Sequence, residues 1–222
     1  MAEVLAAYEQ PLRAEEPVVC LDERPVQLTA DTRPPSRGRP GRPGRYDYEY
    51  TRHGTANLFC AVEPKAGWYL VRATPNRTGP EFAKMIRAIL GHFPEAETVH
   101  LVMDNLSTHS RKSLTDYYGA AIGGALWDRF TVHYTPKHAS WLNQAEIAIG
   151  LLIRECLGRR RFADLPVLRR EIAAWKRRAN RDRRIIQWRF TQRKARRTFG
   201  YRRPSLARNQ ASAADTIQKN QS

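Results

Sequence analysis

Cysteine is scarce in this chain and poorly spaced for chemistry. Cys20, Cys60 and Cys156 are the only three in 222 residues. Their number is odd, and no Cys-x-x-Cys or Cys/His spacing suits zinc or a disulfide framework. They read as reduced, buried thiols of a cytoplasmic protein. No run of 18 or more apolar residues exists, which excludes a membrane-spanning helix. The first ten residues lack the basic start and apolar stretch of a secretory leader. Acid is short as well: 22 Asp and Glu stand against 38 Lys and Arg, a formal net charge of +16. What is present, 41% apolar residues in a chain of this length, suits one sizeable domain.

The positive excess is concentrated late. Between Arg159 and Arg203 there are 16 Arg and 2 Lys against only Asp164, Glu171 and Asp182. Such a block reads as a polyanion-binding surface, because neutralising phosphates releases their condensed counterions; a solvated, arginine-rich face is the plainer alternative. Arg177, Arg178, Arg183 and Arg184 are the expected DNA contacts, with exposed side chains. A second basic stretch, residues 33–45, has four Pro and three Gly in thirteen positions and so breaks both helix and ladder. Arg37, Arg39, Arg42 and Arg45 suit a flexible loop touching phosphates. The run Arg37-Gly38-Arg39-Pro40 also resembles the core of minor-groove AT-hook peptides. Tyr46, Tyr48 and Tyr50 alternate as along one face of a strand.

Periodicity predicts a lead-in helix ending at Val4–Tyr8 and a buried strand over Val18–Asp22. Strands over Asn57–Val62 and Trp68–Ala73 form a hairpin turning at Pro64–Gly67. A helix opens at Gly79-Pro80 and ends near His92. Strands at Val99–Met103 and Phe130–Tyr134 flank a helix over Ser107–Tyr118 with Ser107 or Thr108 as cap. Helices over Ser140–Leu157 and Leu165–Asn180 follow. A hairpin and then strands alternating with helices point to an α/β mixed sheet covered on both faces.

Three acids occupy telling places in that pattern. Asp22 and Asp104 each end an apolar strand, and Glu146 heads an amphipathic helix. Two carboxylates at strand ends plus one on a later helix suit two-ion phosphoryl transfer. Hard Mg²⁺ prefers carboxylate oxygen, and two ions roughly 3.5–4 Å apart can clamp the attacking and leaving oxygens. Asp22 has a rival in Glu23, but neighbours on a strand face opposite ways, which leaves Glu23 to pair with an arginine. Asp104 alone could merely close an Asx turn. Asn105 could bond a metal-bound water or cap the next helix, His109 leans toward the same edge, and Asn143 shares a side with Glu146. Glu155, nine positions on and ~13 Å along the helix, is the fallback third ligand.

The segments Val19-Cys20-Leu21-Asp22-Glu23, Arg52-His53-Gly54-Thr55, Leu101-Val102-Met103-Asp104-Asn105, Thr135-Pro136 and Ala139-Ser140-Trp141-Leu142-Asn143-Gln144-Ala145-Glu146 resemble motifs of bacterial insertion-sequence DDE transposases of the mariner-related group. Trp188-Arg189-Phe190-Thr191 resembles the same family's closing motif. The resemblance runs from about Val4 to Pro204. It implies a ribonuclease H-like fold, a mixed five-stranded sheet flanked by helices, over residues 18–182. A lead-in helix and connector (1–17) would precede it, with a basic segment (183–204) and a disordered polar tail (205–222) after it. It implies Asp22, Asp104 and Glu146 as the catalytic, metal-binding set and Mg²⁺, replaceable by Mn²⁺, as cofactor. Double-stranded DNA, both element ends and target, would be the substrate. The setting would be a homo-oligomeric synaptic complex on the nucleoid of a bacterial cytoplasm. Relatives carry upstream helix-turn-helix modules, for which 17 residues are too few, so the expectation is a catalytic half. The spacing of 42 positions from Asp104 to Glu146 is long for the group, and the glycine-rich stretch 119–125 is the expected site of an extra loop. A ribonuclease H-like nuclease without strand transfer and an inactive DNA-binding remnant are the other readings.

Overall fold

A computed structural model of the chain describes residues 1–200 apart from Pro34, Pro35, Arg37, Arg45, Tyr46, Asp47 and Arg159. The expectations for Arg37, Arg45, Tyr46 and the tail at 205–222 lie outside the described residues. The chain divides into two compact units, Met1–Trp188 and one beginning at Arg189.

The first unit is built on five strands: β1 (Val18–Asp31), β2 (Tyr50–Glu63), β3 (Trp68–Thr74), β4 (Val99–Met103) and β5 (Phe130–Tyr134). Their spatial order is β3-β2-β1-β4-β5. β2 runs antiparallel to β1 and β3, while β4 and β5 run parallel to β1. The expected mixed sheet is present. Its helices are α1 (Ala2–Glu9), α2 (Gly79–Leu90), α3 (Arg111–Tyr118), α4 (Ala120–Trp127), α5 (Ala145–Leu152) and α6 (Leu165–Arg181).

Alternation along the strands assigns each helix to a face. Val19 and Leu21 of β1 join Phe59, Ala61, Val99, Leu101 and Met103 in a core closed by Phe82, Met85, Ile86 and Ile89 of α2 and Leu114 of α3. Cys20 points the other way, where the Tyr8 hydroxyl of α1 lies 3.3 Å from its sulfur. On that second face α5 lies over β1 and β2, and Trp175 of α6 meets Tyr69 of β3 edge-on at 5.6 Å. Burial of these apolar side chains, at roughly 25 cal/mol per Å² removed from water, is what fixes strand register and therefore the placing of the acids.

Several elements differ from their expected bounds. β1 and β2 overrun the buried run by nine and seven residues because past Asp22 they pair chiefly with each other and need no apolar core. Residues 50–55 are exposed, so this part is a two-stranded ribbon leaving the sheet. Arg161 holds its end, bonding Asp31 Oδ1 at 2.6 Å and the Glu49 carbonyl at 2.9 Å. Residues 107–110 are turns, and α3 starts at Arg111 with Ser110 as N-cap, so neither Ser107 nor Thr108 caps it. The glycine-rich stretch is a helix, α4, and not a loop. Gly119 at φ 84° breaks it from α3, and Gly123 lets the two helices touch: a β-carbon there would sit 2.4 Å from the Leu114 carbonyl oxygen. The expected long helix at 140–157 is three pieces, a 3-10 turn (Ser140–Leu142), α5, and a π-helical turn (Ile153–Leu157).

The second unit contains α7 (Gln192–Phe199), capped by Thr191, whose hydroxyl accepts from the Lys194 amide at 3.2 Å. Gly200 ends it in the left-handed conformation at φ 66°.

Gly123→Ala should destabilise the protein by about 1–3 kcal/mol, the usual cost of overpacking. Gly150→Ala, in open space within α5, should be neutral or stabilising by up to about 1 kcal/mol. Urea midpoints of the two variants check this; equal shifts would contradict it.

Candidate active site

β1 and β4 are parallel and pair Cys20 with Val102, so two residues further on Asp22 comes level with Asp104. Past this level β4 has ended while β1 continues, paired with β2; the carboxyl edge where a parallel pair stops is the usual place for ligands on such sheets. α5 reaches that edge with Glu146 in its first turn. The three acids line one cleft of about 640 Å³, together with Glu23, Arg24, Thr135 and Asn143.

Strand alternation separates the two neighbouring acids. Asp22 shares the Cys20 face, toward α5, and pairs across the ladder with Cys60. Glu23 shares the Leu21 face and pairs with Phe59. The expected arginine partner of Glu23 is replaced by His109: its ring Nε2 donates to Glu23 Oε1 at 2.7 Å. The other ring nitrogen, Nδ1, lies 2.7 Å from Asp104 Oδ1. His109 is wholly buried and stacks on Phe82 with ring centroids 4.8 Å apart. An alanine there would leave a cavity, take the imidazole from Glu23 and leave Asp104 with the Leu106 amide.

The charges follow from these contacts. Burial pushes the Asp22 carboxyl up to about 7, helped by the negative charges of Glu23, Asp104 and Glu146; the Glu23 amide, donating to Asp22 Oδ1 at 2.8 Å, opposes the rise. Asp104 is held below the usual carboxylate range, first by its hydrogen bond to His109. Burial works against a charged imidazole at His109, but its bonds to Asp104 and Glu23 outweigh it and raise the group to about 10. His109 is thus a cation at neutral pH.

The other expected residues sort differently. Asn143 is buried, donates to the Leu21 carbonyl at 2.8 Å and accepts from the Ala145 amide at 3.1 Å, so it ties β1 to the start of α5. Asp104 does close an Asx turn onto the Leu106 amide at 3.3 Å. Asn105 is exposed and does not cap α3. Glu155 is engaged elsewhere, accepting from Trp175 Nε1 at 2.9 Å and paired with Arg184. Arg184, expected as an exposed DNA contact, is therefore a structural ion pair, while Arg177, Arg178 and Arg183 are exposed and without an ion pair among the described residues. Arg39 and Arg42 are exposed and joined by a backbone bridge. Sequence reasoning passed over Arg24 and Thr135, which also line the cleft; adjacency to Asp22 and the Thr135-Pro136 motif were the available signals.

The donor set is oxygen alone, which suits Mg²⁺ or Mn²⁺. Among the described residues no three acidic, histidine or cysteine side chains are gathered tightly enough to enclose one ion.

A family model described as DDE superfamily endonuclease matches residues 17–169. No curated protein matches the sequence. Among solved structures, the Mos1 transposase paired-end complex with left transposon end is 15% identical, with a TM-score of 0.51 over 82% of this chain and 56% of that one. The Mos1 mariner paired-end complex with Mn gives 15% identity and a TM-score of 0.52 over the same shares. The Mos1 strand transfer complex gives 14% and 0.51 over 79% and 51%. At such identity the likeness is one of fold, the ribonuclease H-like fold, and the chain spans about half the length of these structures.

The raised Asp22 has a consequence for stability. Its folded value lies above the unfolded one, so its contribution falls as pH rises from about 4 through 7. In EDTA, wild type should lose stability from this group over that range and Asp22→Asn should not. The gap at pH 8 should be on the order of 1–2 kcal/mol, discounted for partial exposure. Thermal unfolding across pH reads it, and parallel curves would contradict it.

Proposed function

The chain belongs to the DDE superfamily endonucleases, and on that footing we propose that it is the catalytic domain of a DDE transposase, cutting duplex DNA and joining the freed 3′ end to a target. The observation that carries the reading is the meeting in one cleft of Asp22, Asp104 and Glu146, drawn from the middle of β1, the end of β4 and the first turn of α5. These three would hold divalent cations, Mg²⁺ by preference with Mn²⁺ able to replace it. When bound, such ions supply a Lewis acid at the scissile phosphate and an activated water.

The rest of the chemistry is positional. His109 holds Asp104 and Glu23 in fixed orientations, so the β4 end cannot swing away from β1. Asn143 keeps Glu146 in register with Leu21. The partly protonated Asp22 couples cation binding to proton release. Water attacks phosphorus in line as the bond to the leaving 3′ oxygen breaks; that 3′ hydroxyl then attacks a target phosphate as the bond to the target strand's own 3′ oxygen breaks, and no covalent enzyme intermediate forms.

DNA is taken as the partner because exposed Arg177, Arg178 and Arg183 offer phosphate contacts, with Arg39 and Arg42 near the ribbon tip. The Mos1 structures of the same fold hold a transposon end and, in one case, Mn. Their paired-end arrangement supports an oligomer that brings two ends together.

Asp104→Asn and Glu146→Gln should each lower Mg²⁺-dependent DNA cleavage by more than the roughly 10–100-fold expected of an outer partner, with duplex affinity in EDTA unchanged and Glu155→Gln still active. Cleavage surviving both changes would contradict the assignment. Cleavage without joining to a target would favour the nuclease reading. Replacing Arg177, Arg178 and Arg183 with Gln should lower the slope of log affinity against log salt by about 0.9 per lost phosphate contact. An unchanged slope would move the DNA path elsewhere.

A further inference from the structure

Glycine inside a helix gives up stability relative to alanine, because its backbone has more freedom to lose on folding. The usual reason for tolerating it is a neighbour that leaves no room for a β-carbon. Of the four described glycines within α-helices, Gly79, Gly123 and Gly124 have that reason: a β-carbon would stand 3.1, 2.4 and 2.8 Å from an atom of another residue. The fourth is Gly150 in α5, where a β-carbon would meet nothing within 4 Å. The π-helical turn that follows does not require it either. That turn spans Ile153–Leu157 and closes at a glycine of its own, Gly158, with φ 49°. Folding supplies no reason for Gly150.

Its position supplies one. Gly150 is exposed and lines the acidic cleft. It lies four residues after Glu146, one turn and ~6 Å further along the same face of α5. Ile149 and Ile153 flank it on the cleft wall, so this stretch of α5 is apolar and, at its centre, bare. A helix without a side chain at one point lets another molecule come about 3 Å nearer its axis than elsewhere. Glu146 demands such closeness. If one cation is to touch both its carboxylate and a phosphate, with metal–oxygen distances near 2.1 Å, the phosphate must lie within about 4 Å of that carboxylate. A nucleic-acid strand drawn in so tightly beside the first turn of α5 meets the second turn at Gly150. The one basic residue of the lining, Arg24, comes from β1, so phosphates are drawn toward β1 and the apolar wall is left to the sugars.

We propose that the strand being cut lies directly against α5, with the sugar beside the scissile phosphate in contact with the bare backbone at Gly150, and that glycine at this position serves to admit it. The proposal rests on the cutting of DNA at the acidic cleft. It makes residue 150 a positioning residue: its size sets how deeply the strand sits over Asp22, Asp104 and Glu146, without itself holding a cation or moving a proton.

The test enlarges residue 150 in the full chain and measures Mg²⁺-dependent cutting of plasmid DNA, thermal unfolding, and Mn²⁺ binding in the absence of DNA. Gly150→Ala should cut about 10-fold more slowly and Gly150→Leu about 100-fold, the loss expected when a reacting group is misplaced by an ångström or more. Both variants should unfold at or above the wild-type temperature and bind Mn²⁺ as wild type does, so that slower cutting comes with intact fold and intact acids. Should leucine disturb the fold, the single methyl of Gly150→Ala decides the matter. Cutting by the variants at close to the wild-type rate would overturn the proposal and leave the DNA reading intact. Weaker Mn²⁺ binding in both variants would also overturn it, since Gly150 would then support the acids and not the strand. Plasmid left uncut by wild type would overturn the DNA reading, and the proposal with it.

Discussion

Glu23 sits on β1 and Asp104 just past the end of neighbouring β4, and the imidazolium of His109 is bonded to both at 2.7 Å. Much of the site depends on that cation. Without it two carboxylates would face each other at the edge of the sheet beside a third, Asp22, whose own charge is already disfavoured by burial and by its neighbours. One partly buried carboxylate can stay protonated; a cluster cannot be accommodated so cheaply, because repulsion strengthens as water is excluded. The positive ring neutralises the face of β1 that looks toward α2 and leaves the face toward α5 negative. A single strand thereby presents a satisfied acid on one side and an unsatisfied one on the other.

The second face depends on backbone ties. Asn143 leaves the helical path so that its amide can reach the Leu21 carbonyl, next to Asp22, while its oxygen starts α5. The Tyr8 hydroxyl donates to the Leu142 carbonyl at 2.8 Å and packs by Cys20, so α1 holds the same junction from outside. Glu146 then stands in the first turn of a helix whose start is fixed to β1. This explains why the expected long helix is broken at 143: a continuous one would lack the tie that sets Glu146 against Asp22.

Much of this was legible in the sequence. The apolar run before Asp104 located the end of β4. The one before Asp22 marked only where β1 stops pairing with β4 and runs on to Asp31. Period-2 alternation ruled that Asp22 and Glu23 could not share a face. The partner of Glu23 was not legible, since His109 is 86 positions away and local patterns carry no information about such a contact. The glycine-rich stretch at 119–125 was misread for a related reason. Glycine is a poor helix former in isolation, but in α4 it admits the backbone of α3, and that demand is set by the neighbouring helix. The ribbon of β1 and β2 was missed because strands paired only with each other need no apolar pattern. Arg184 looked like one of many surface arginines until folding placed Glu155 beside it.

The central claim is that Asp22, Asp104 and Glu146 hold metal in common. Anomalous diffraction from crystals soaked in Mn²⁺ tests it most directly. The account predicts strong peaks within the cleft, bonded to carboxylate oxygens of all three residues between them, and reduced occupancy in Asp22→Asn crystals. Peaks confined to Glu23, Glu155 or the surface, with none at Asp22 and Asp104, would contradict it.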